Sequence, residues 1–302
     1  MTGSPSPSIK STRRDHRRGR FTLRLMLTPL FAALTLASVI LSAPPAAATS
    51  ASSVSADYTH TCALTTSGGV KCWGANNTGM LGDGTTKRRL TPVDVSGLTS
   101  GVAAISAGTY HTCALTTSGG VKCWGANYAG MLGDGTKTER DTPVDVSGLT
   151  SGVAAISVDS YHTCALTTSG GVKCWGANYH GQLGDGTTKK GRAPVDVSGL
   201  SSGVAAISAG GFHTCALTTS GGMKCWGANY AGMLGGGGKK DRLKPADVSR
   251  LVSGVAEISA GTYHTCAVTI SGGVKCWGWN YYGQVGDGTT TYRAKPVDVS
   301  GF

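Results

Sequence analysis

Glutamate is nearly missing from this 302-residue chain: only Glu139 and Glu257 are present, against fourteen aspartates. Charged residues of all kinds make up 14% of it. A chain so poor in a favoured helix former, with Val, Ile, Thr and Tyr enriched in its repeated part, does not read as a helical bundle. No cysteine stands outside a repeated pattern, and no two cysteines have the short spacing of a zinc knuckle. Catalytic patterns are missing too. The residues without counterparts in other repeats (Glu139, His180, Glu257, Trp279, Tyr282) form no triad or carboxylate pair. The stretch 232–240 falls short of a phosphate loop, because Met233 and Lys240 stand where Gly and Ser or Thr belong. No catalytic residue, metal or cofactor is expected.

What the chain has is glycine, 47 residues of it, and repetition. The run His-Thr-Cys-Ala-Leu-Thr-Thr-Ser-Gly-Gly-Val-Lys-Cys-Trp-Gly recurs five times, almost unchanged, with a period of 51 residues. Its first cysteine is Cys62, Cys113, Cys164, Cys215 or Cys266, and its second Cys72, Cys123, Cys174, Cys225 or Cys276, which accounts for all ten cysteines. A period of this length means one supersecondary unit copied in series, each burying its apolar face on the next.

The second copy shows the unit. Residues 102–107, 111–117 and 121–125 read as strands, and 143–147 as a fourth, alternating one. Four short strands per repeat make a propeller blade. Thr117-Ser118-Gly119 reads as a three-residue hairpin loop with glycine at its left-handed position. Opposed residues then have numbers summing to a constant, so Leu115 faces Val121 and Cys113 faces Cys123 at a non-hydrogen-bonded position, close enough for a disulfide. The same rule pairs Cys62 with Cys72, Cys164 with Cys174, Cys215 with Cys225, and Cys266 with Cys276. His60, His111, His162, His213 and His264 are expected to be structural and bonded to backbone. Trp73, Trp124, Trp175, Trp226 and Trp277 read as core or blade-interface packing, and Asp83, Asp134, Asp185 and Asp287 as turn stabilisers. Asn76-Asn77-Thr78 matches a glycosylation acceptor.

The net charge of +11 is uneven: residues 1–48 carry seven of the 27 basic residues and one acid. A basic stretch ending at Arg24, an apolar stretch over 25–41 and a small-residue run over 43–48 have the order of a secretory signal peptide cleaved after Ala48. Export to an oxidising compartment agrees with ten paired cysteines. The expected mature protein is 49–302, in repeats of about 48–98, 99–149, 150–200, 201–251 and 252–302, secreted or held at the cell surface without a membrane span.

The series Ile105-Ser106-Ala107-Gly108, His111, Trp124-Gly125-Ala126-Asn127 and Gly130-Met131-Leu132-Gly133-Asp134-Gly135-Thr136 resembles the regulator of chromosome condensation repeat, and the resemblance covers all five copies. It implies a β-propeller used as a binding platform. The eukaryotic namesake is a nucleotide-exchange factor that binds chromatin, whereas secreted bacterial relatives include a protein inhibitor of β-lactamases. Well-known members have seven blades, and exchange factors carry an inserted wedge that this uninterrupted period lacks. The fold expected here is all-β, a propeller of five four-stranded blades closing into a ring, the last blade shared between a strand at 296–300 and one near 52–56. Nucleotide exchange and nucleic-acid binding are not expected.

The copies disagree most just after Gly-Asp-Gly-Thr, and fourteen of the twenty basic residues beyond Ala48 fall there. Equivalent loops of a propeller emerge together, so these residues are expected to form a basic crown. Candidate partner-binding residues are Arg88, Arg89, Arg140, Lys190, Arg192, Lys240, Arg242 and Arg293, with Tyr128, Tyr179, Tyr230, Tyr281 and Tyr282 beside them. Such a crown points to an acidic protein partner, with inhibition as one outcome, or to a carbohydrate or anionic envelope polymer.

Overall fold

The computed structural model describes residues 49–302; the expected signal segment and its cleavage at Ala48 lie outside the described residues. Twenty strands form five separate antiparallel sheets of four, each taken from consecutive sequence. The first blade is β1 (Ala51–Ala56), β2 (His60–Thr65), β3 (Val70–Gly74) and β4 (Arg89–Asp94), and the second is β5 (Val102–Ala107), β6 (His111–Thr116), β7 (Val121–Gly125) and β8 (Arg140–Asp145). The pattern repeats to a fifth blade that runs from Val255–Ala260 to Arg293–Asp298. Among the described residues no helix is long and apolar enough to cross a membrane.

The hairpin register is the one expected. Leu115 pairs with Val121 and Cys113 with Cys123, and Gly119 takes φ of 79° at the loop. All five Cys pairs are bonded, with Cα–Cα distances of 4.1 Å. The fourth strand departs from expectation, running Arg140–Asp145 rather than 143–147. A bulge between Cys123 and Gly125 lets Gly125 pair with Arg140, which extends the edge strand at its start. Pro143 is accommodated because an edge strand needs no inward N–H at every residue.

Neighbouring blades are joined by one apolar interface used four times. The first blade contributes Leu64, Val70, Leu81, Val95, Leu98 and its disulfide, and the second contributes Val102, Ala114 and Trp124. The Trp124 indole N–H donates to Met80 O at 2.9 Å, and Ala107 N to Ser55 Oγ at 2.9 Å. Gly133 shows how close the approach is: a Cβ there would lie 2.8 Å from the Trp175 Nε1 of the next blade. The histidines complete each joint, but with a hydroxyl rather than the expected backbone group. His60 Nε2 lies 2.8 Å from Thr112 Oγ1, which donates to Met80 O at 2.9 Å. The Thr proton is thus spent on the carbonyl, so Nε2 carries the histidine proton and Nδ1 is bare.

The described residues do not show the expected ring closure. No counterpart of these hydrogen bonds joins the fifth blade to the first among the described residues, and each terminal strand pairs within its own blade. Val54 is 65% exposed at the position where Ile105 is packed, and Phe302 is 79% exposed where Leu98 is buried. The two end faces have also shed methyl groups: Ala51 and Val54 replace Val102 and Ile105, and Val268 and Val285 replace Leu115 and Leu132. That leaves less apolar surface to drive the joint.

This difference is testable by denaturation. Trp175→Ala is expected to cost about 3–5 kcal/mol, the range for emptying a buried aromatic site. Trp73→Ala, at the open end, should cost clearly less, since Trp73 is only part-buried. Equal costs would show that the ends are joined in solution.

Candidate binding face

Two loops of every blade emerge at the same end, one between its first and second strands and one between its third and fourth. The second of these is built around its aspartate. The Asp134 carboxylate accepts from Thr136 N at 2.9 Å, Thr136 Oγ1 at 2.7 Å, Asn127 Nδ2 at 3.1 Å and Arg140 Nη2 at 3.0 Å. Burial pushes its carboxyl upward, but the Thr136 and Arg140 hydrogen bonds outweigh this and hold it below the usual range. Asn127 Oδ1 accepts Leu132 N at 3.0 Å, which ties the loop to the core. Asn76 does the same in the first blade with its side chain fully buried, so it is not presented as a surface glycosylation acceptor.

This geometry divides the expected crown. Arg89, Arg140 and Arg293 are ion-paired to Asp83, Asp134 and Asp287, so their charge is matched within their own loops. Lys71, Lys122, Lys173, Lys224 and Lys275 are paired with Asp94, Asp145, Asp196, Asp247 and Asp298. Arg88, Lys190, Arg192, Lys240 and Arg242 are exposed, and no ion pair holds them among the described residues. Unpaired positive charge therefore gathers on the third and fourth blades, where Lys189, Lys239 and Lys244 add to it. Lys190 Nζ lies 4.7 Å over the Tyr179 ring.

The tyrosines form more than a rim. Tyr110, Tyr161, Phe212 and Tyr263, from the other loop of four successive blades, run in contact with centroid spacings of 5.6, 5.3 and 5.7 Å. Tyr128 packs on Tyr110 at 6.4 Å, and Tyr230 on Tyr263 at 6.0 Å. His180 packs between Phe212 and Tyr230. Trp279 extends the run from Tyr263 to Tyr281 and Tyr282, which are 63% and 78% exposed. The inner aromatics and Trp279 were not among the expected site residues. Their signal was available, since an aromatic precedes the repeat histidine in four copies. Burial raises the Tyr128 and Tyr230 hydroxyls above their ordinary value, so both are neutral donors at physiological pH.

The chain's repeats match the regulator of chromosome condensation (RCC1) repeat at residues 51–79, 102–130, 153–182, 204–232 and 255–284, and in a longer form over 67–115, 118–166, 169–217 and 220–268. The chain belongs to the RCC1 repeat family. It is similar to the ultraviolet-B receptor UVR8 of Arabidopsis thaliana, 34% identical over 241 residues, which cover 78% of this chain and 54% of UVR8. It is also similar to the human E3 ubiquitin-protein ligase HERC2, 36% identical over 250 residues, 80% of this chain but 5% of that protein. The chain thus spans about half or less of these relatives. Among solved structures, human WBSCR16 superposes with a TM-score of 0.73 at 24% identity, over 82% of this chain and 66% of that one. Yeast RCC1 (Prp20) bound to Kap60 gives 0.73 at 22%, over 82% and 61%. These two share the fold of this RCC1-repeat chain, and both are longer than its five-blade arc.

Proposed function

We propose that this protein is a secreted, non-catalytic protein-binding module that uses the aromatic run and its cationic border to hold an acidic partner, with inhibition of that partner as one consequence. The observation that supports this most is the uninterrupted run of aromatics from Tyr128 to Tyr282, ending in exposed rings. Tyrosine, tryptophan and arginine are the residues that concentrate binding energy in protein interfaces. The charge on blades three and four supplies steering. The disulfides fit an oxidising, extracytoplasmic setting.

Capture from culture medium, identified by mass spectrometry, tests the reading. Tyr281→Ala with Tyr282→Ala is expected to reduce capture of the identified partner by about tenfold or more, as for an interface hot spot. Lys190→Glu with Arg192→Glu should weaken it mainly at low salt, where the Debye length is long. Retention of full affinity by both double variants would refute this face as the site. The near-parallel Trp279 and Tyr281 rings, 12° apart, favour a second reading as a carbohydrate- or envelope-polymer-binding protein. Saturable glycan binding with no protein partner would select it.

A further inference from the structure

The fourth blade has lost the carboxylate at the centre of its loop, and the threonine hydroxyl beside it, but kept the arginine and the asparagine that surround it. Gly236 stands where Asp134 stands two blades earlier, and Gly238 where Thr136 stands. Arg242 and Asn229 occupy the positions of Arg140 and Asn127. Arg242 has no acidic partner among the described residues, whereas its counterparts Arg89, Arg140 and Arg293 are all paired. A cavity of about 490 Å³ opens at this place, lined by Asn229, Gly236, Gly238, Lys239, Lys240, Asp241 and Arg242.

We propose that this cavity is a binding site for a carboxylate supplied from outside the chain. In the blades that keep aspartate and arginine together, the aspartate side chain is only 6–8% exposed under its own loop, whereas in the fourth blade Gly236, Gly238 and Arg242 are exposed, so the vacated position is open to a group arriving from solvent. A Cβ built on Gly236 meets only Arg242 Nη2, at 3.8 Å, so the guanidinium still borders the vacated space. The available donors are the Arg242 guanidinium and the Gly238 N–H, which replaces that of Thr136. Asn229 Nδ2 is meanwhile held by Gly238 O and Lys240 O, both at 3.0 Å. A planar two-oxygen acceptor suits a guanidinium because two parallel N–H groups meet it.

Lys239 and Lys240 add positive charge to the lining. The one acid there, Asp241, is turned to other work: it accepts from Asn229 N at 2.8 Å and contacts His180 Nδ1 at 2.8 Å. Loss of the threonine side chain leaves room for atoms beyond the carboxyl carbon, as in a glutamate or aspartate side chain or a small organic acid. The proposal concerns the isolated protein and does not depend on the reading of the aromatic face.

Titration of the 15N-labelled protein with acetate, ionic strength held with chloride, tests it. The Gly236 and Gly238 amides and the Arg242 Nε–H are expected to shift saturably. Arg242→Gln should raise the half-saturating concentration by about tenfold or more, the loss expected for a charged hydrogen bond. Gly236→Asp rebuilds the internal carboxylate; Gly236 is outside the positive-φ set, so the aspartate meets no backbone strain there. That variant should lose the acetate response and gain thermal stability. Adding a glutamate-containing peptide separates a protein source, which would bind more tightly than acetate, from a free organic acid, which would match it. Shifts no larger than the chloride control, an unchanged response in Gly236→Asp, or saturation by inorganic phosphate but not acetate would each overturn the proposal.

Discussion

Acidification from about pH 7.5 to about pH 5.5 is expected to remove about 5 kcal/mol of unfolding free energy through the buried histidines. Burial lowers His60 and His162 to about 4 and His111 and His213 to about 3. The cause is visible at each ring. Nε2 donates to a threonine that has already spent its proton, and Nδ1 is buried with no partner. A second proton would place a cation where no acceptor waits.

The sign follows from linkage. The folded pKa lies below the unfolded one, so the unfolded chain binds more protons between them. The stabilisation is complete above the unfolded value and is lost as pH falls from there toward the folded value. Four such groups give a slope approaching four times that of one. Asp159 opposes them: burial raises its carboxyl to about 6 against the hydrogen bonds of Ser160, with Asp57 adding to the rise. It favours the folded state as pH falls through 6, returning about 1 kcal/mol over the same interval. Urea unfolding at the two pH values measures the difference, and His162→Gln should shrink it by about a quarter. A free energy that is flat across this range would show that the histidines are solvated or already charged in the fold.

The repeat made the blade legible in the sequence because one hairpin carried its own register. Once Thr117-Ser118-Gly119 was placed as a loop, Cys113 and Cys123 had to meet, and five copies offered the same answer. Closure was not legible. It depends on how two non-adjacent end surfaces fit, and the few lost methyls at Ala51, Val54, Val268 and Val285 look conservative in sequence. Which loop arginines are ion-paired was legible only in part, for a related reason. Arg140 and Arg192 are similar letters in similar loops, one residue apart in register. That single step puts Arg140 beside Asp134, while Arg192 faces solvent because Gly191 holds the equivalent place. The same comparison across copies exposes Gly236 beside Arg242, but only after the Asp–Arg pair of the other blades is known to exist.

Reduction of the disulfides is expected to be the largest single perturbation. Each bridge spans a sequence separation of 10 residues, and a loop of that size is worth about 3 kcal/mol by chain entropy. The five together contribute on the order of 10 kcal/mol after allowance for non-additivity, comparable with the whole stability of an ordinary domain. The reduced chain should therefore fail to hold its fold at 37 °C, and a protein kept in a reducing compartment should not accumulate folded. The order of reduction is also specified by the arc. Cys62, Cys72, Cys113, Cys123, Cys164, Cys174, Cys215 and Cys225 are all at 0% exposure, whereas Cys266 lies on the uncovered face of the fifth blade. Thiolate attack needs access to sulfur, so the Cys266–Cys276 bridge should open first under mild reductant, with the other four waiting for blades to separate. Timed alkylation and peptide mapping reads that order directly. Simultaneous labelling of all ten cysteines would mean that unfolding of the whole arc precedes any attack. A labelling rate at Cys266 no faster than at Cys164 in the folded protein would mean that another surface covers the fifth blade.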